Sequence, residues 1–165
     1  QLMNFLFENA KSATHIIEVL DEIDTIQTSA LELKAYFISE VHSILNSVSS
    51  QVKEFEKMKN QTLVMCENKF NHFSYQVNIN ADYLEKAFKE LLLNAIKFST
   101  HNSKIYILFE VKSNYVLISI LNTPIHEGDI YGIQPEYSNI IFEPFFRITK
   151  LVYESIPTLD LVLLW

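Results

Sequence analysis

Apolar and polar positions along the chain change period several times, and each change marks an element. Over residues 1–28, Leu2, Leu6, Ile16, Val19, Leu20 and Ile23 recur at three- and four-residue spacing, with Glu8, Lys11, Glu18 and Asp21 on the opposite side. This predicts an amphipathic helix. A helix with one oily stripe needs a partner surface, either the following domain or another helix in a bundle. Near Ala35–Ile38 the pattern shortens to a strand. Ser39 then suits an N-cap with Glu40 in the first turn, and Val41, Ile44, Leu45, Val48 and Val52 carry a second helix to about Lys59.

Two strands come next, Thr62–Cys66 and His72–Ile79. In the second, Phe73, Tyr75, Val77 and Ile79 alternate with His72, Ser74, Gln76 and Asn78, which predicts one buried face. Residues 81–98 give the strongest helical pattern, introduced by Asn80 and Asp82. Lys104–Val111 and Tyr115–Leu121 follow as strands joined by a turn near 112–114. Residues 123–139, with Pro124, Gly128, Gly132 and Pro135, read as a long loop, and 140–149 are apolar and aromatic. The run Leu159–Trp165 is apolar and too short for its period to assign it. The order predicts an α+β fold, a two-layer sandwich of helices on a mixed sheet, preceded by a long helix.

The segment Leu84–Ser99, LEKAFKELLLNAIKFS, carries the candidate chemistry. At about 100° per residue, Leu84, Phe88, Leu91 and Ala95 fall within about 40° of one direction, the expected core face. Glu90, Asn94 and Lys97 cluster on another face roughly 60° wide. An Asn oxygen can coordinate Mg²⁺ without adding charge, with water and substrate phosphates completing the shell. A Lys three residues on meets phosphate oxygens as a point charge. A carboxylate one turn earlier can orient or deprotonate a nucleophile. The competing reading is a solvated helix face with a Glu–Lys pair.

Composition narrows the partners. The 165 residues are 48% hydrophobic with 12 Phe and 8 Tyr, enough for a sizeable core. The net charge of −7 and 13 scattered basic residues argue against nucleic acid, which demands clustered Lys and Arg. The single cysteine, Cys66, allows no intrachain disulfide, fits a reducing compartment and reads as a small buried hydrophobe. No apolar run approaches the roughly 18–20 residues that cross a bilayer, so this segment is expected to make no membrane contact. Only two glycines are present, Gly128 and Gly132, whereas average usage is about 7%. A phosphate-wrapping loop ordinarily draws on glycine for close backbone approach.

ELLLNAIKFS resembles the N-box of sensor histidine kinases, an Asn-Ala followed by a basic residue, an aromatic and a Ser or Thr. Asp82 and Leu84 sit where that family places an Asp and a Leu. Downstream, Ile141–Arg147, IFEPFFR, resembles the F-box beside the ATP lid. The N-terminal ATHIIEVLDEIDTIQTSALEL is similar to the end of the dimerisation helices of these kinases. The resemblance implies the fold of the gyrase/histidine-kinase ATPase superfamily. Residues 1–30 would close a dimerisation and phosphoacceptor domain, and 31–165 would form the ATP-binding domain. It implies ATP and Mg²⁺ as ligands, with Glu90 assisting transfer, Asn94 on the metal, Lys97 on phosphate, Asn122 on adenine, and Ile125, Phe142 and Arg147 completing the site. It further implies a two-component signalling role, a cytoplasmic location, a homodimer through the first helix and a response-regulator partner.

The chain also departs from that pattern. No phosphoacceptor motif is present: Ile16 follows His15 and Ser43 follows His42, so both histidines read as surface or interface residues and the acceptor His would come from elsewhere. Where the family has Asp-x-Gly after a strand, this chain has Asn122-Thr123-Pro124. Asn122 can accept adenine's amino group through its amide oxygen but without a charge. Pro124 stiffens the loop, and Ile125 fits the apolar position that follows. Asp160 and Val162 stand where the second glycine box is expected, and their side chains would obstruct a triphosphate. The later helix and strands are expected to be missing. The alternative function is therefore a catalytically inactive kinase-like domain that acts as a dimerisation or partner-binding signalling module.

Overall fold

The structure is a computed structural model, and it describes residues 2–28, 30–66, 74–127, 130–131, 133 and 135–141. By its internal contacts the chain divides into two compact units, Gln1–Glu32 and Leu33–Trp165.

The first unit is one helix, α1 (Leu2–Thr28). Thr14, Thr25 and Thr28 turn their hydroxyls onto the carbonyls four residues back, at 3.0, 2.8 and 2.6 Å. This satisfies those hydroxyls inside the helix. Leu20, on the apolar stripe, is 44% exposed, and Met3, Phe7 and Ile17 are exposed as well. Among the described residues, no helix is long and apolar enough to cross a membrane.

The second unit begins with β1 (Lys34–Phe37) and runs directly into α2 (Ile38–Gln51). Ser39, the expected cap, lies inside the helix, because Phe37 takes the cap position. Glu40 reaches back and accepts the Phe37 N–H at 2.7 Å, which secures the helix start without a capping hydroxyl. The expected single helix to Lys59 is broken at Val52 (φ −93°, ψ 1°) into α2 and α3 (Lys53–Met58). Val52 is fully buried at the break, on the same face as Val41, Leu45 and Val48.

Next come β2 (Thr62–Cys66), β3 (Gln76–Ile79), α4 (Ala81–Phe98), β4 (Lys104–Val111) and β5 (Val116–Leu121). Asn80 caps α4, its side chain accepting the Tyr83 N–H at 3.1 Å. β2 pairs parallel with β4, and β4 pairs antiparallel with β5. Parallel neighbours need a long crossover, and β3 with α4 lies within it. β1 and β3 form a separate antiparallel pair, so among the described residues the mixed pairing lies within the β2–β4–β5 sheet. Tyr75 precedes β3 and is 54% exposed, against the expected inward alternation, whereas Val77 and Ile79 pack on the core. The predicted long loop holds two short strands, β6 (His126–Glu127) and β7 (Ile130–Tyr131), and a 3₁₀ turn at Pro135–Tyr137.

The helices cover one face of the β2–β4–β5 sheet. Ile105, Ile107 and Phe109 of β4 point inward against Val41, Leu45 and Val48 of α2 and Phe88, Leu92 and Ile96 of α4, all in one buried cluster. α4 packs on both α2 and β5, with Gln51 donating to Glu85 at 3.1 Å across the helix pair. The buried apolar positions of α4, Phe88, Leu92, Leu93, Ala95 and Ile96, centre about 70° from the expected face. Leu92 and Ile96 are fully buried, while Leu91, expected inside, is 40% exposed. His42 is half-buried with its ring edge-on to Phe109 at 5.7 Å, making it part of the helix–sheet packing. Leu92→Ala is expected to lower unfolding free energy by about 2–5 kcal/mol in urea titrations, and Leu91→Ala by well under half as much. Equal losses would contradict this placement of the helix.

Candidate functional site

The last turn of α4 carries the candidate chemistry, and its construction starts from a general problem. A helix leaves its final four carbonyls without partners in the helix itself, and buried carbonyls must find donors. Here the four acceptors, residues 95 to 98, are served from three other places. Ser99 Oγ donates to the Ala95 oxygen. Lys59 Nζ donates to the oxygens of Ile96 at 3.3 Å and of Lys97. Gln61 Nε2 also donates to Ile96 at 3.1 Å, and Ile125 N–H donates to Phe98 at 2.9 Å. Lys59 and Gln61 continue onto the Ser99 oxygen, each at 3.2 Å, and Gln61 onto Thr100 at 3.1 Å.

Lys59 and Gln61 are each only 5% exposed. The cation sits where the helix dipole is negative, a favourable position for it. Burial nevertheless holds the Lys59 amine below its ordinary 10.5, because desolvation penalises the charged form. Between them, Asn60 takes a left-handed conformation with φ 51°. The Asn60 N–H bonds to Lys57 O at 3.1 Å and the Gln61 N–H to Glu56 O at 3.0 Å, which closes α3 as a Schellman motif. The turn after α4 uses a second left-handed asparagine, Asn102 (φ 57°), whose Oδ1 accepts from Asn60 Nδ2 at 2.7 Å. Asn102 N–H also bonds to Lys59 O at 3.0 Å. Asparagine thus fills two positions that commonly fall to glycine, which shows how this unit closes tight turns with so few glycines.

The segment behind β5 is stitched to the same helix end. Thr100 N–H bonds to Thr123 O at 3.0 Å, Ile125 N–H to Phe98 O at 2.9 Å, and Ser99 bridges Pro124. Asn122 Nδ2 donates to Ser99 Oγ at 3.0 Å. The structure therefore brings Asn122 and Ile125 beside the end of α4. Glu90 and Asn94 are half-buried one turn apart on that helix. Lys97 is only 5% exposed, its ammonium 5.3 Å from the Phe98 ring centroid, within cation–π range. Packing thus buries a residue that shares a helical-wheel face with Glu90 and Asn94. Phe142, Arg147, Asp160 and Val162 lie outside the described residues, as do His72, Phe73, Gly128, Gly132 and the Cys66 side chain.

Lys59, Gln61 and Ser99 are the structural centre of this region, and none of them stands out in the sequence pattern. Lys59 and Gln61 meet α4 across 35 to 40 residues of chain, and no local spacing encodes that. Ser99 lay in plain view at the end of the quoted motif, and its partner 23 residues on became visible only in the folded chain.

No protein-family model matches the sequence, and no curated protein does. Solved structures do match. The nucleotide-free catalytic domain of histidine kinase ThkA superposes with a TM-score of 0.57 at 21% identity, covering 73% of this chain and 71% of that one. ThkA in complex with response regulator protein TrrA gives 0.59 at 20% identity, covering 84% and 38%. The Acinetobacter baumannii histidine kinase AdeS gives 0.63 at 20%, covering 87% and 66%. Full-length ShkA in complex with AMPPNP gives 0.64 at 15%, covering 83% and 28%. The fold of this chain is that of the sensor histidine kinase catalytic domain, helices on a mixed α+β framework.

Lys59→Met removes the donor to three buried carbonyls. It is expected to cost about 1–3 kcal/mol of stability, measured by urea unfolding. Its pH dependence has a definite sign. The folded amine loses its proton at a lower pH than the unfolded amine, so between that lowered value and 10.5 the unfolded chain binds more protons. Unfolding free energy therefore rises with pH across that window in the wild type, relative to Lys59→Met. A flat difference would contradict a buried, desolvated Lys59.

Proposed function

We propose that the unit after Leu33 binds Mg-ATP along the end of α4 and serves as the nucleotide-binding part of a two-component sensor histidine kinase. The observation that carries this reading is the stitching of residues 122–125 onto the end of α4. It holds Asn122 and Ile125 beside the helix that carries Asn94 and Lys97. The base would lie against Ile125 with its amino group on Asn122, and the phosphates would extend along α4.

In this reading Asn94 supplies a neutral oxygen to magnesium. Among the described residues no group of three His, Cys, Asp or Glu could hold a metal ion alone. The remaining ligands would then be phosphate oxygens and water, the usual habit of Mg²⁺. When bound, the metal neutralises charge on the β- and γ-phosphates. Lys97 attracts a phosphate oxygen from a buried position, where a cation's field is less screened than at the surface. Glu90, one turn before Asn94, orients the incoming nucleophile or takes its proton. Phe142 and Arg147 would contribute to ATP binding, as the family resemblance implies. The γ-phosphoryl would pass to a histidine outside this chain. The resemblance to kinase structures, one holding AMPPNP and one holding a response regulator, supports ATP as ligand and a response regulator as downstream partner. α1, with Leu20 and other apolar side chains exposed, suits pairing with a second copy of itself in a homodimer. A cytoplasmic location follows from the same signalling role.

Calorimetric titration with Mg-ADP tests the binding step. Wild type should bind, and Asn94→Ala should weaken binding by about tenfold, the worth of one contact to a charged group. Saturation at about 100 times Kd should add about 2.7 kcal/mol of stability in a thermal melt. No heat and no thermal shift would overturn the reading. Binding without transfer to a separately supplied histidine-bearing helix would leave an inactive, partner-binding module instead.

A further inference from the structure

We propose that Ser99 sets the base preference of this site by fixing which end of the Asn122 amide meets the ligand, so that a 6-aminopurine nucleotide is accepted and a 6-oxopurine nucleotide is rejected. The proposal rests on the reading of Asn122 as the base-contacting residue. A carboxylate at this position would have two acceptor oxygens and no sense to fix. An amide has one acceptor end and one donor end, and the end presented to the base decides which base is held.

The sense follows from proton accounting at Ser99. A serine hydroxyl carries one hydrogen. Ser99 is fully buried, and its hydroxyl donates that hydrogen to the Ala95 carbonyl in the last turn of α4. Only lone pairs remain on Ser99 Oγ, so whatever faces it must donate. Asn122 Nδ2 does so at 3.0 Å. Turning the amide over would set its oxygen against Ser99 Oγ, with two acceptors competing for the single hydrogen in a place that water does not reach. The main chain around Asn122 is fixed by backbone bonds, Thr100 N–H to Thr123 and Ile125 N–H to Phe98, which keeps its side chain within reach of Ser99. Asn122 is itself exposed, which leaves Oδ1 as the end available to a ligand. The amino group of adenine donates to that oxygen. The O6 of hypoxanthine or guanine would oppose it, acceptor to acceptor. Ser99 touches no ligand in this scheme and is a positioning residue.

The test compares Mg-ADP with Mg-IDP by calorimetric titration on wild type, Ser99→Ala and Ser99→Ala/Asn122→Asp. Wild type should prefer ADP by about tenfold or more. Ser99→Ala should narrow the preference to within about threefold, because the amide is then free to present either end. The double variant should restore it, since a carboxylate accepts in either sense. A loss caused only by loosened structure would not be rescued that way. An unchanged preference in Ser99→Ala, or none in wild type, overturns the proposal. A ligand-free arm needs no variant: the Asn122 side-chain N–H that faces Ser99 should exchange more slowly by NMR than the other N–H of the same amide. That difference with neither nucleotide bound would place the failure in the nucleotide reading and withdraw the base preference with it. Equal exchange alongside nucleotide binding would overturn the amide assignment alone.

Discussion

The end of α4 is buried, and buried carbonyls must be bonded. The arrangement of the second unit around that region answers this requirement. The helix stops where the chain must turn into β4, under a layer of protein and away from water. Its last carbonyls could not be left to solvent, and no glycine follows to fold the chain back on them. Donors are imported instead, from the connection between α3 and β2 and from the segment behind β5. A lysine is an economical answer. Three donors on a flexible stem can reach several carbonyls together, and its charge opposes the helix dipole. The cost is the desolvation that depresses its basicity.

The same constraint links parts of the chain distant in sequence. Once Lys59 and Gln61 are placed over α4, the turn between them is fixed. Asn60 then lies close enough to bond Asn102 in the turn that leaves the helix. Both residues adopt the left-handed region with an ordinary side chain, and both use that side chain in the shared bond. Two tight turns thus support each other. The low glycine content is met here by asparagine, whose short amide tolerates the conformation and bonds locally.

The site inherits its geometry from this framework. Ser99 stands at the crossing point: its carbonyl takes the Lys59 and Gln61 donors, its hydroxyl closes the helix, and the same hydroxyl receives Asn122. The residue read as contacting the base is therefore held through the residue that ends the helix. Lys97 illustrates a different consequence. A helical wheel describes directions around one helix and knows nothing of neighbours, so it could assign Lys97 to the face of Glu90 and Asn94. It could not show that Lys97 and Leu93 are buried while Asn94 is only partly so.

The sequence alone determined the longer elements and their order. Long amphipathic patterns such as Ala81–Phe98 and the paired strands Lys104–Val111 and Val116–Leu121 are local properties, set by spacing and by turn residues within a few positions. The fold class followed from their order, and Asn80 as a cap from its own position. Tertiary structure alone decided the break at Val52, the turning of Leu91 outward, the capping by Lys59 and Gln61, and the sense of the Asn122 amide. Each of these depends on a partner brought up by packing from outside the local window. Burial is a property of the assembled layers, and a hydrogen bond between residues 59 and 97 has no trace in the spacing of either.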